Sequence, residues 1–200
     1  GMFTMAGGSY ALTIAVATIV IILLGMGMPT PAVYALAAVL AAPALLALKI
    51  ELLPAHLFIV YFASMSAITP PVAVAAFAAA SIARTNPIAV AFVACRVGIV
   101  AFVLPLVFVS QPGVLLMGDA ATVVTTIGFV LLGALCLVIA FEGWLFGIVP
   151  APLRAALFAL AIALLAQTGV ARWAAAAAFL ALAAWRYRRR NVPAPGPAPA

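Results

Sequence analysis

Ser66-Ala67-Ile68-Thr69-Pro70-Pro71-Val72 stands near the middle of an uncharged apolar run from His56 to Ala83. The run exceeds the ~20 residues that a helix needs to cross a bilayer. Two adjacent prolines near its centre break a continuous helix, because they have no N–H to give the Ser66 and Ala67 carbonyls. Ser64, Ser66 and Thr69 bring hydroxyls to the same depth. Non-helical backbone cannot face lipid, so it must line a polar cavity or be buried in protein. Two readings follow: a seat for a desolvated alkali cation built from neutral oxygens, or a proline kink solvated by neighbouring helices.

Composition places the whole chain in the same setting. Of its 200 residues 70% are hydrophobic and 6% charged, with a mean hydropathy of +1.40. A soluble domain needs far more polar surface, so the expected class is all-α, a polytopic helical membrane protein. Nine basic residues outnumber three acids, but four of the nine lie in Arg186–Arg190. The charge therefore marks one end, and with no basic face interleaved with aromatics elsewhere, nucleic acid is not an expected partner. Cys95 and Cys136 sit in apolar runs without CxxC spacing and read as buried small hydrophobes. With a single His56, no transition-metal site and no cofactor are expected. Gly1–Gly8 lacks the basic n-region and cleavage site of a signal peptide, and the opening looks like that of a piece of a longer chain.

The break recurs upstream. The apolar run Tyr10–Leu24 ends in Gly25-Met26-Gly27-Met28-Pro29-Thr30-Pro31, and apolar sequence resumes over 32–48. In a continuing helix Pro29 and Pro31 would leave the Gly25 and Gly27 carbonyls unpaired. Two arms around a Gly/Pro tip suit a re-entrant helical hairpin, and two thin full spans or a tight surface turn fit the same lengths. Downstream, Lys49-Ile50-Glu51 marks an interface, and His56 stands at the mouth of the Pro-broken transmembrane helix as an interfacial or lining residue. Arg84-Thr85-Asn86-Pro87 ends that helix. The next span, 88–110, carries Arg96 about 12 Å from its start, which makes it a lining candidate or a snorkelling side chain. One plain span over 120–141 and two thin ones over 153–166 and 173–185 follow, then the basic cluster and a Pro/Ala tail, 191–200, which cannot bury a core and is expected to be disordered. Arg84, Arg154 and the basic cluster fall on one side against Lys49 and Arg172, which predicts a cytoplasmic C-terminus.

Gly25-Met26-Gly27-Met28-Pro29-Thr30, His56-Leu57-Phe58 and Ile68-Thr69-Pro70-Pro71-Val72-Ala73 together resemble the large membrane subunit of TRAP transporters, most closely fused permeases of the TAXI type. The resemblance runs from about residue 7 to residue 109. It implies a C-terminal part of the permease transport domain over 1–115 and a C-terminal extension of about three membrane helices over 116–190. It further implies a non-enzymatic, sodium-coupled symporter of the bacterial inner membrane, taking up small organic acids delivered by a periplasmic substrate-binding protein. By position, Gly25, Gly27, Thr30, Ser66, Ala67 and Thr69 would contribute to a Na+ site, with Pro29, Pro31, Pro70 and Pro71 as structural breaks. A first repeat and a small permease subunit would complete the system, and this chain would be a fragment of the permease. The alternative is a non-transporting integral-membrane scaffold whose prolines only kink helices.

Overall fold

The computed structural model describes residues 9–166 and 169–190, and there the chain is helical apart from turns and one isolated bridge, Trp144 to Ile148. The helices are α1 (Tyr10–Leu24), α2 (Thr30–Ala47), α3 (Leu52–Met65), α4 (Val74–Ala83), α5 (Pro87–Val97), α6 (Ile99–Ser110), α7 (Ala120–Glu142), α8 (Ala151–Leu165) and α9 (Gly169–Arg190). The expected tail, 191–200, lies outside the described residues, as do Gln167 and Thr168. Two compact units form, residues 1–126 and 127–200.

In the first unit α3 is central, packing on α6, α2 and α1. Its core side chains Ala55, Phe58, Ile59 and Phe62 repeat at helical spacing and meet Ala17 and Ile21 of α1 and Val33, Ala37, Ala41 and Leu45 of α2. The i, i+4 alanines of α2 let backbones approach, as membrane helices do where water supplies no driving force between them. The opposite faces are apolar too, with Ile19, Leu23, Val39 and Leu40 exposed, as lipid contact requires.

Two helices, α2 and α7, are each long and apolar enough to cross a membrane, and α4 with α5 qualifies as a pair bent by 118°. The bend is made by Arg84 in the left-handed region (φ 50°) and by Asn86, whose side chain accepts from the Ile88 and Ala89 amides at 2.9 and 3.3 Å. Pro87 follows at the first helical position, where no N–H is needed.

Three boundaries differ from expectation, and one is α9, which runs over Gly169–Arg190 instead of 173–185 and takes in the basic cluster. α2 starts at Thr30, because Pro29 is its N-cap and Pro31 sits in its first turn, where proline fits. The single span expected over 88–110 is two helices joined at Gly98, whose carbonyl takes the Ala101 amide in a tight turn at 2.9 Å. Glycine is a poor helix former, and a Cβ at Gly98 would stand 3.0 Å from the Ala94 carbonyl oxygen and 3.3 Å from Ile68 Cδ1.

In the second unit α8 packs on α9. Arg154 donates to the Ala140 and Phe141 carbonyls (2.7 and 2.9 Å), and Arg186 to those of Leu145 and Ile148 (2.9 and 3.0 Å). Arg172 donates to the Leu164 carbonyl at 3.0 Å, at the other end of α8, and lies 4.6 Å from the Phe129 ring. Each guanidinium thus serves helix-end or loop carbonyls, the negative ends of local dipoles. Cys136 is fully buried, whereas Cys95 is only partly so.

Candidate functional site: a hairpin tip against a helix break

The break in the second helix run is short. α3 ends at Met65, and a 3-10 turn, Ser66–Ile68, carries the chain to Thr69, whose extended backbone leads into Pro70 and Pro71. The Ser66 carbonyl, left without a helical partner by Pro70, accepts the Thr69 amide instead at 3.2 Å. The tightening recovers one hydrogen bond that an α-helix would have lost. α4 starts afresh at Val74.

The hydroxyls at the break turn back on the helix. Ser64 Oγ donates to the Val60 carbonyl (2.9 Å), Ser66 Oγ to that of Ala63 (2.7 Å) and Thr69 Oγ1 to that of Met65 (2.8 Å). Each O–H is satisfied locally, and each oxygen keeps lone pairs for a further partner.

At the other break α1 ends with the Gly25 amide shared between the Ile21 and Ile22 carbonyls (3.0 and 3.1 Å). Gly27 follows at φ +80°, a conformation only glycine adopts freely. The Gly25 carbonyl takes the Met28 amide in a long 3.4 Å bond.

These two places meet. A Cβ built on Gly25 would overlap both Oγ and Cβ of Ser66, and one on Gly27 would lie 3.6 Å from Val72 Cγ1. Gly25 and Ser66 are both buried. The C-terminal ends of α1 and α3 therefore abut, each with the carbonyl-rich, negative end of a helix dipole. Thr30 starts the second hairpin arm beside this tip, and Ala67 lies within the 3-10 turn.

His56 stands apart from the meeting point. Ten residues of helical rise put His56 about 15 Å from Ser66, and there Nδ1 lies 2.9 Å from Tyr34 Oη on α2. Arg96 is exposed in the last turn of α5, where a cation is favoured by the helix end. Two contacts at the break were not legible in the sequence: that of Cys95, whose Sγ lies 3.4 Å from the Ile68 carbonyl oxygen, and that of Val72 with Gly27. An apolar side chain carries no sign in the sequence of which face meets the break.

Helices interrupted inside apolar runs, with their free ends gathered at one buried point, define a helical membrane protein of discontinuous-helix type. The chain belongs to the DctM component family of tripartite ATP-independent periplasmic transporters, whose family model matches residues 1–123. No curated protein and no solved structure matches it. It is thus a multi-pass membrane component of a transporter, of a family that is not enzymatic and that works with a periplasmic binding protein and a small membrane subunit. The family assignment favours the transporter reading over the scaffold.

Proposed function

We propose that this chain contributes one ion-coupling half-site to a sodium-driven TRAP permease of the TAXI type for small organic acids. The observation that carries the reading is the abutment of Gly25 and Ser66, which brings two helix C-termini and several neutral oxygens together without an acid. Discontinuous helices that present carbonyls in this way coordinate coupling ions in secondary transporters. In this reading Gly25, Gly27, Thr30, Ser66, Ala67 and Thr69 supply oxygens for Na+, and Pro29, Pro70 and Pro71 keep the breaks open, while Pro31 starts the second arm. His56 then acts away from the ion, tying the hairpin arm to the broken helix. The family's first repeat and the small subunit complete the substrate cavity.

Thr69→Val tests the ion role in the complete permease, since it removes one oxygen at nearly constant volume. Sodium activation of uptake should weaken while the amount of folded protein holds. An unchanged sodium dependence overturns the assignment of Thr69.

The proposed orientation places the C-terminal arginines in the cytoplasm of a bacterial inner-membrane protein. It is supported by Arg154 and Arg186 serving one end of the second unit and Arg172 the other. A cysteine at position 191 should resist an impermeant thiol reagent in intact cells. Labelling from outside reverses the topology.

A further inference from the structure

We propose that the cleft between the C-terminal end of α7 and the first turn of α8 binds one anionic phospholipid. Its phosphate rests on Arg154 and an acyl chain lies against Phe141 and Phe158. The inference concerns α7 and the chain after it, and does not depend on the sodium reading.

α7 has 23 residues, a rise of about 35 Å, which exceeds the ~30 Å hydrocarbon core. Its Glu142 end therefore emerges at a headgroup surface. The loop that follows is held rigid by Val149 donating to the Gly143 carbonyl (2.8 Å), Leu145 to that of Gly147 (2.9 Å), and by Arg186. Held in this way, it exposes Trp144 (62%) and Ile148 (87%). A fixed loop that offers a tryptophan and an isoleucine to its surroundings suits the lipid interface and not water.

Beside the loop lies a cleft of about 360 Å³ lined by Ala140, Phe141, Ala151, Arg154, Ala155 and Phe158. That volume is at the small end for ligand sites, roughly 300–1,000 Å³. Arg154 is its one polar lining side chain. Nε and Nη2 are engaged by the Ala140 and Phe141 carbonyls, which fixes the guanidinium plane, and among the described residues Nη1 has no hydrogen-bond partner. An oriented guanidinium with donors to spare recognises phosphate.

Aromatic and alanine walls next to one cation ask for a ligand with an anionic head and a hydrocarbon body. A soluble phosphate would leave the walls without a partner. The charge at this end agrees: Glu142 is the acid there in sequence, against Arg154, Arg186 and the Arg188–Arg190 run. Arg186 is committed to the Leu145 and Ile148 carbonyls, which leaves Arg154 as the cation that faces the cleft.

The test is native mass spectrometry of the full chain after exchange into phosphatidylglycerol or phosphatidylcholine. The wild type should retain one phosphatidylglycerol over phosphatidylcholine by about fivefold, the preference one arginine earns at an anionic surface. Ala155→Trp fills the cleft and leaves the Arg154 bonds in place, so it should abolish that retention. Arg188→Gln removes an outlying charge and should leave it unchanged. Equal retention of the two lipids, undiminished binding in Ala155→Trp, loss in Arg188→Gln, or displacement by inorganic phosphate would each overturn the site. Should Ala155→Trp not fold, Phe158→Ala decides, because Phe158 is 43% exposed and its truncation spares the core. Full retention in that variant also overturns the proposal.

Discussion

The Cα of Gly25 lies so close to the Ser66 side chain that no β-carbon fits between them. This contact joins the tip of the first helix pair to the break in the next. It is steric and not conformational, since Gly25 has φ −78°, ψ −8°, values any residue adopts. Gly25→Ala should therefore destabilise the fold by about 1–3 kcal/mol, the usual cost of overpacking. Ser66→Gly, which removes the opposing Cβ, should restore much of that loss in the double variant. Thermal unfolding of the purified protein in detergent reads both. Additive losses would mean that the two residues do not oppose each other.

Gly27 makes the contrasting case. Its φ of +80° excludes a Cβ on backbone grounds, while the nearest atom to that Cβ, Val72 Cγ1, is at an ordinary 3.6 Å. Gly27→Ala should cost about 1–2 kcal/mol from the left-handed backbone alone. Val72→Ala should give no rescue in the same unfolding assay. A rescue would show that crowding, and not dihedral strain, makes glycine necessary there.

Tyr34 and His56 share a 2.9 Å hydrogen bond and an edge-on ring contact between α2 and α3. Tyr34→Phe keeps the ring and loses the bond, an expected loss of about 0.5–1.5 kcal/mol. A double-mutant cycle with His56→Ala should return a coupling energy of that order. Independent effects would show that the bond does not tie hairpin arm to broken helix.

Asp119 caps the start of α7. Thr122 Oγ1 donates to it at 2.6 Å and the Thr122 amide at 3.1 Å, and these bonds hold its carboxyl below the usual carboxylate range. A depressed folded-state pKa means that the stabilisation is whole above the unfolded value of about 3.9 and is lost as pH falls through the folded one. Protection of the Thr122 and Val123 amides, relative to their intrinsic exchange rates at each pH, should fall on acidification below about pH 4. Asp119→Asn keeps a capping oxygen without a charge, so it should flatten that dependence. The same pH profile in both proteins would assign the effect to another group.

Much of the helical class and of the breaks was legible in the sequence because both depend on local chemistry. Apolar content sets the solvent, and proline removes an N–H wherever it falls. Thus α1 spans Tyr10–Leu24 as the run of residues indicates, and the chain leaves the helix before Pro70. The start of α2 was misplaced by two residues, Thr30 and Pro31, because proline is as welcome in a first turn as it is disruptive later.

What the tertiary structure alone decided is which of these local features touch. Gly25 meets Ser66, Tyr34 meets His56, Arg154 and Arg186 turn to backbone carbonyls, and Gly98 divides the run 88–110 that was expected as one span. In a soluble helix the apolar stripe names the packed face in advance. Here lipid and protein are both apolar, so residues on every face look alike in sequence, and close packing of small residues, visible only in three dimensions, selects the partners.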